Sequence, residues 1–164
     1  MPDKEKSSYV EITRSLAVKF NFECDIFHHE LSGKTTEQAE RATGLGKNNI
    51  IKCLLLKSGN GSYIGVIIRG SDRVDFNKLE LVSKKKNLNM ARDSDIRKVL
   101  GFEIGGVPAL IFIEKGIPTF ISEKVLASDY VVGSGGTEFH GMGFKPIQLI
   151  TKLHYIRSSI TSTG

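Results

Sequence analysis

A chain of 164 residues, 40% apolar and 25% charged, has the size and balance of one globular domain around a single core. Its longest apolar runs, such as Ile64 to Ile68, fall far short of the ~20 residues that span a bilayer, and the polar opening Met1-Pro-Asp-Lys-Glu-Lys6 lacks the apolar centre of a signal peptide. A membrane protein and a secreted one are therefore disfavoured, and a cytoplasmic location is expected. The two cysteines, Cys24 and Cys53, have neither metal-ligand spacing nor disulfide density and read as buried thiols; the net charge of +5 permits an anionic partner such as RNA without requiring one.

In chain order, residues 1–8 read as a flexible N-terminus, after which Tyr9, Ile12, Leu16 and Phe20 recur at helical spacing and predict an amphipathic helix. Asp25 to His29 is a short strand candidate. Neighbours on a strand face opposite sides, so at most one of His28 and His29 points inward, and a metal pair is disfavoured. Thr35-Thr-Glu-Gln38 has the capping-box form, with Gly44 as the stop of the short helix it opens. Thr36 sits in its first turn, where free amides and the positive dipole end suit a phosphate, although capping alone also explains the sequence.

Asn49 to Lys57 and Ser62 to Arg69, joined by Ser-Gly-Asn-Gly, predict a β-hairpin whose nearly continuous apolar strands are buried on both faces. Lys52 interrupts the first strand on the face shared by Ile50, Leu54 and Leu56. An ammonium there either lines a polar cavity or reaches water along its aliphatic stem. Arg69-Gly-Ser-Asp-Arg-Val-Asp75 is a polar turn in which Asp75 caps a helix bearing Phe76, Leu79 and Val82. Lys84, Lys85 and Lys86 close that helix, either as a solvated cationic end or as contacts to an RNA backbone.

Leu88 to Ala91 is a brief strand candidate, and a helix from Asp95 to Leu100 ends at Gly101. The following glycine-rich segment, Gly101 to Ala109, combines Gly105 and Gly106 with Pro108. Such a turn either offers converging amides to a carbonyl, carboxylate or phosphate, or serves as plain punctuation. Ala109–Ile113, Pro118–Ser122 and Tyr130–Gly133 are read as strands, Ser134-Gly-Gly136 as a second small-residue turn, and Pro146 as the start of a closing helix. The serine- and threonine-rich segment 157–164 is expected to be a flexible tail, which leaves 9–156 as the folded domain. The whole predicts an α+β single domain with a mixed, largely antiparallel, β-barrel-like sheet surrounded by helices. The hairpin and the strand cluster at 109–133 are connected too tightly for parallel crossovers, which disfavours a doubly wound fold.

The order of Thr36-x-x-Ala39 before Leu45-Gly46, of Lys52 in Ile51-Lys-Cys-Leu-Leu-Leu56, of the Arg69 to Asp75 turn and of Gly101-x-x-x-Gly-Gly-Val-Pro108 resembles the YbaK family and the editing domain of bacterial prolyl-tRNA synthetase. The resemblance runs from about residue 9 to 153. It implies a mixed β-barrel wrapped by helices and hydrolysis of mischarged aminoacyl-tRNA, with no metal or other cofactor required. By it, Lys52 matches the family's lysine facing the aminoacyl ester, and Gly105 opens the segment matching its Gly-x-x-x-Pro loop. Here the closing position is Ala109, with Pro108 one residue earlier, and Ile111-Phe112 stands where a Gly-His pair often follows. Gly133 to Gly136 resembles the later turn lining the same pocket.

The implied site therefore comprises Lys52, Gly105 and Gly106 as catalytic positions, with Thr36, Val107, Pro108, Ala109, Gly135 and Gly136 around the substrate. An aminoacyl ester is already activated, so a positioned water, donors for the developing oxyanion and an anchor suffice, and no Ser-His-Asp set is evident. His28, His29 and His140 are candidate proton-transfer helpers or surface histidines. Small residues at Gly105, Val107 and Ala109 suggest a small substrate side chain, in the alanine, cysteine or serine class. The implied partners are mischarged tRNA and an aminoacyl-tRNA synthetase, with no membrane and no DNA. The rival readings are a catalytically silent tRNA- or synthetase-binding module and a hydrolase of another acyl ester.

Overall fold

The computed structural model describes residues 3–162, with side chains from Ser8 onward. The chain begins with helix α1 (Asp3–Lys19), strand β1 (Asp25–His28) and helix α2 (Thr36–Thr43), followed by the hairpin β2 (Ile51–Lys57) and β3 (Tyr63–Arg69). Helix α3 (Phe76–Ser83), strand β4 (Asn89–Met90) and α4 (Asp93–Asp95, continuing as a π-helical turn Ile96–Leu100) lead to α5 (Ile111–Glu114). Strands β5 (Thr119–Ser122), β6 (Val131–Ser134) and β7 (His140–Phe144), helix α6 (Gln148–Thr151) and strand β8 (Ile156–Ser158) complete the fold.

The strands form two sheets rather than one curled barrel. One has the order β1-β7-β6, the other β4-β2-β3-β5-β8, and they touch where Ile50 bridges Val132 in parallel. Pairing is largely antiparallel, as expected, but β3–β5 and β5–β8 are parallel. The tight connections seen in the sequence do not forbid these pairs. Each joins strands far apart in the chain, through the helices between β3 and β5 and through the smaller sheet between β5 and β8.

Both faces of the larger sheet are covered, which explains why the hairpin strands are apolar almost throughout. Ile51, Leu55, Ile67 and Ile121 pack toward α1 and Phe112. Leu56, Ile64, Val66, Ile68 and Phe120 pack toward Leu79 of α3, Leu88 and Ile160. Gly65 lets the first layer close: a Cβ there would stand 2.7 Å from the Phe112 ring. On α1 the inward face is Val10, Thr13, Leu16 and Ala17, with Tyr9 and Phe20 partly buried, whereas Ile12 of the predicted stripe is exposed.

The predicted strand Ala109–Ile113 is instead a turn entering α5, an ambiguity that a short apolar run always carries. Tyr155 decides it: its hydroxyl donates to the Ala109 carbonyl at 2.6 Å and accepts the Ile113 N–H at 3.2 Å. Burial pushes the Tyr155 phenol well above its ordinary pKa, so it stays a donor. The expected flexible segments are corrected over residues 3–8 and 157–162; residues 1–2 and 163–164 lie outside the described residues. Helix α1 already begins at Asp3, before the predicted boundary at Tyr9, and the tail is held by paired backbone up to Ser162. Ile156–Ser158 forms β8, Thr161 bridges Val74, the Asp75 N–H donates to the Ile160 carbonyl, and Ile160 plugs the second core at 0% exposure. Serine and threonine content reads as mobile, but one buried isoleucine and an edge to pair with outweigh it.

Truncating Ile160 to alanine should therefore cost about 2–5 kcal/mol, as for a buried aliphatic residue in a core, and chemical denaturation measures it. An Ile160→Ala variant as stable as the parent would return 157–164 to the status of a tail.

Candidate functional site

Between the two sheets, beyond the Ile50–Val132 bridge, opens a cavity of about 750 Å³. One wall is β2 from Ile51 to Leu55, and the facing wall is Val132, Gly133 and Ser134 of β6 with Thr137 and His140. The N-terminus of α2 and the turn 70–73 close one end. Met90, Ala91, Ile96, Ile104 and Val107 line the rest, so the cavity has a polar end and an apolar end.

The turn after β3 is fixed by a charged fork. Arg69 Nε and Nη2 donate to Asp72 Oδ2 at 2.8 Å and Oδ1 at 3.1 Å, with side-chain exposures of 23% and 10%. This paired geometry, chiefly its hydrogen bonds, raises the Arg69 pKa further above its ordinary value. The turn's Gly70 N–H donates to the Ile50 carbonyl at 2.6 Å, and Thr36 Oγ1 donates to the Gly70 carbonyl at 3.3 Å. A Cβ on Gly70 would lie 2.5 Å from Thr36 Cγ2, so the glycine is what lets α2 approach. At its N-terminus α2 carries the predicted capping box, with Gln38 N–H on Thr35 Oγ1 at 3.2 Å and Thr35 N–H on Gln38 Oε1 at 3.1 Å.

This turn presents the Asp72 carbonyl to Lys52, whose Nζ donates to it at 3.0 Å. Lys52 is half-buried and lines the cavity, while Leu54 and Leu56 on its face pack into the second core. Among the described residues no carboxylate lies within ion-pair distance of it. A lysine held by one carbonyl keeps donors free for an oxygen-rich ligand. Lys34, Lys47 and Arg73 add cations to the lining, which Glu37, Asp72 and Glu138 share; Lys47 also reaches Glu40 at 4.0 Å.

The glycine-rich segment divides between lining and support. Gly105 and Val107 line the cavity, and Gly105 has φ +84°, the left-handed region that favours glycine. Gly106 does not line it: its N–H is taken by the Glu103 carbonyl at 3.0 Å, and a Cβ there would sit 2.7 Å from the Gly136 carbonyl oxygen. Gly136, at φ +124°, backs in turn onto the Tyr9 carbonyl, where a Cβ would stand at 2.8 Å. Gly106 and Gly136 thus pack back to back behind the pocket and onto α1. Pro108, Ala109 and Gly135 are buried outside the lining, Ala109 under Tyr155 and Gly135 through its N–H on the His140 carbonyl at 2.8 Å.

His29 lines the cavity and donates from Nδ1 to the Leu31 carbonyl at 2.6 Å, which leaves Nε2 outside that bond. His28 points to the exposed side and meets His140 edge-on at 5.1 Å. His140 Nδ1 lies 2.7 Å from Thr137 Oγ1. Burial pushes the Cys53 thiol up to about 12, so it lines the wall as a neutral group. Lys84, Lys85 and Lys86 lie beyond the hairpin tip, where the Lys86 carbonyl accepts the Gly59 N–H. That is the far end of β2 from Lys52, roughly 17 Å along a strand. Cys53, Thr137, Lys34 and Lys47 line the cavity and were not assigned to the site by sequence reasoning, because their convergence depends on how the two sheets splay. Among the described residues no three His, Cys, Asp or Glu side chains gather as a metal site, and no helix is long and apolar enough to cross a membrane.

A family model described as the aminoacyl-tRNA editing domain matches residues 31–146, which contain all of the cavity's lining except His29. A curated relative in Enterococcus faecalis, described as a proposed Cys-tRNA(Pro)/Cys-tRNA(Cys) deacylase, is 24% identical over 102 residues, covering 62% of each chain. A proline–tRNA ligase of Caldicellulosiruptor bescii is 24% identical over 108 residues, 65% of this chain but only 18% of the ligase. The chain thus spans about a fifth of that ligase and under two thirds of the deacylase. A solved structure described as a proposed trans-editing enzyme for prolyl tRNA synthetase superposes with a TM-score of 0.83 at 21% identity, covering 94% of this chain and 98% of the other, a likeness of fold.

Replacing Asp72 by asparagine keeps the shape of the turn and removes the charge that Arg69 answers. The variant should lose about 1.5–3 kcal/mol, the usual worth of a hydrogen bond to a charged group, read as a lowered denaturation midpoint. No loss would mean that the fork does not hold the turn.

Proposed function

The chain belongs to the aminoacyl-tRNA editing domain family, and from that premise we propose that it is a free-standing deacylase that hydrolyses the ester of tRNA mischarged with a small amino acid, in the alanine, cysteine or serine class. The observation that supports this reading best is the placing of Lys52: a half-buried ammonium, tied by one bond to the Asp72 carbonyl, at the polar end of a cavity whose other end is apolar. A terminal nucleotide with its phosphate suits the polar end, where Lys52 and Arg73 stand. A short side chain suits the wall of Ala91, Val107 and Ile96.

Hydrolysis of such an ester needs positioning more than a strong nucleophile. Water oxygen bonds to the acyl carbon and the bond from that carbon to the ribose oxygen breaks. The ribose oxygen takes one of the water's protons, and the amino acid leaves as a carboxylate with its other proton released to solvent. Lys52 orients the ester and offsets negative charge that grows on its oxygens, and the water approaches from the cleft between the two sheets. His29 Nε2 and the His140–Thr137 pair stand on the lining as groups through which a proton can pass. A protein acting on aminoacyl-tRNA works where translation does, with a synthetase as its second proposed partner.

A panel of mischarged tRNAs, assayed for release of the amino acid at several salt concentrations, tests this. The expected result is turnover of one or more small aminoacyl esters, with binding that weakens as salt rises. Neutralising Lys34, Lys47 and Arg73 together should flatten that salt dependence, by about one unit of slope for each phosphate that no longer meets a cation. Lys84, Lys85 and Lys86 remain proposed as further backbone contacts. An unchanged slope on neutralising them makes them a solvated helix end. Salt-sensitive binding without any turnover would favour a silent tRNA-binding module. Turnover of simple esters alone would favour a hydrolase of another acyl ester.

A further inference from the structure

The outer edge of β2 is paired at both ends and open in the middle. In the hairpin, Gly70 N–H bonds the Ile50 carbonyl and Ser58 N–H bonds the Ser62 carbonyl, and the register pairs Lys52 with Ile68 and Leu54 with Val66. Main-chain groups alternate sides along a strand, so residues 50, 52, 54, 56 and 58 bond β3, and residues 51, 53, 55 and 57 point the other way. The Leu55 carbonyl bears this out, since it accepts the Ala91 N–H on the side away from β3. There β4 pairs only with Leu56 and Lys57 before the chain turns off into α4, and at the other end Ile50 is already bridged to Val132. Between these two neighbours one residue, Cys53, has its N–H and C=O aimed along the sheet plane at the gap. On that side the register of β4 stops at Leu56 and gives Cys53 no strand partner. Cys53 lines the cavity, as does Ser134 on the facing wall.

We propose that this one-residue gap is the seat of the aminoacyl group, which pairs with Cys53 as a single residue of an added antiparallel strand. The α-ammonium donates to the Cys53 carbonyl, and the ester carbonyl accepts the Cys53 N–H. The inference rests on the deacylase reading and narrows it to a substrate class: esters of α-amino acids with a free amino group. The geometry fits because an amino acid carries its donor and its carbonyl in the spacing of a strand residue, the same complementarity by which peptides extend a sheet edge. It also supplies what the glycine loop lacks. The Gly106 amide is already bonded to Glu103, whereas the Cys53 N–H faces the edge that β4 leaves unpaired, beside Lys52, where charge on the ester oxygen would grow. The Cys53 side chain plays no part in this recognition. It projects from the sheet plane against the first core.

The test uses two hydrolysis-resistant probes, 3′-deoxyadenosines carrying either an alanyl or a lactyl group in amide linkage at the 3′ position, with protein labelled with nitrogen-15. The alanyl probe should bind about 10–100-fold more tightly than the lactyl one, the worth of a hydrogen bond from a charged donor, and should shift the Cys53 amide resonance while slowing its hydrogen exchange. Equal affinity for the two probes, alanyl binding with the Cys53 amide unmoved, or no binding of the alanyl probe would each overturn the proposal. Cys53→Pro removes the edge-facing N–H, a change tolerated at an open edge, together with the thiol, so Cys53→Ala, which removes the thiol alone, is its reference. Deacylation should be about 10²–10³-fold slower in Cys53→Pro than in Cys53→Ala, and equal rates in the two would overturn the proposal. Should Cys53→Pro fail to fold, the probe measurements on the parent protein decide alone. Binding of the alanyl probe at Cys53 by a protein that turns over no mischarged tRNA would sink the deacylase reading and leave this one standing.

Discussion

The site depends on one chain of contacts that begins with a charge pair. Arg69 forks onto Asp72, the fork sets the turn, and the turn aims a main-chain carbonyl at Lys52. An ammonium on a strand that is otherwise apolar is costly unless a polar partner meets it. A carbonyl suits that role, because it satisfies one donor without cancelling the charge. A carboxylate there would hold the lysine more firmly and neutralise it, which would suit structure and spoil a site for an anionic or ester ligand. The same turn anchors the start of α2 through Gly70 and Thr36, so the polar end of the cavity is assembled by one tight loop rather than by several independent ones.

The cavity itself follows from the way the sheets meet. They are bridged at Ile50 and Val132 and then diverge, leaving a cleft whose walls are strand edges and whose depth is set by side chains from α4 and the glycine loop. Rigid backing is supplied behind it by the contact of Gly106 with Gly136 and α1, where there is no room for a Cβ on either side. Glycine here serves close approach of two backbones. The loop's contribution to chemistry is correspondingly smaller than its composition suggests, and main-chain donors are better sought on the open edge of β2.

Much of this is legible in the residues. The hairpin, the capping box at Thr35, the stops at Gly44 and Gly101 and the interrupting Lys52 are local signals, and local signals survive folding. The resemblance carried by the ordered landmarks points to the right family. What is not legible depends on distant partners. No pattern in Ala109 to Ile113 reports that Tyr155 will bind both ends of that turn, and nothing in the tail's serines reports that Ile160 enters a core. Two sheets read as one barrel because pairing order is a property of β3, β5 and β8 together. Cys53 gives no signal of its own for a similar reason: its main chain matters only because β4 stops short of it, and that boundary belongs to another segment.

The central claim is that Lys52 belongs to function rather than to stability. Single-turnover deacylation and a thermal melt on the same Lys52→Met sample address it directly, since methionine keeps most of the aliphatic stem and deletes the ammonium. The Asp72 carbonyl, released at the wet end of the cavity, can turn to water, so the melt should move by no more than a few degrees, as for loss of a hydrogen bond worth about 1 kcal/mol. Turnover should fall by about 10²-fold or more, as when a stabilising donor is removed from an oxyanion. Full turnover by a folded Lys52→Met protein would contradict the account, and so would a collapse of the fold.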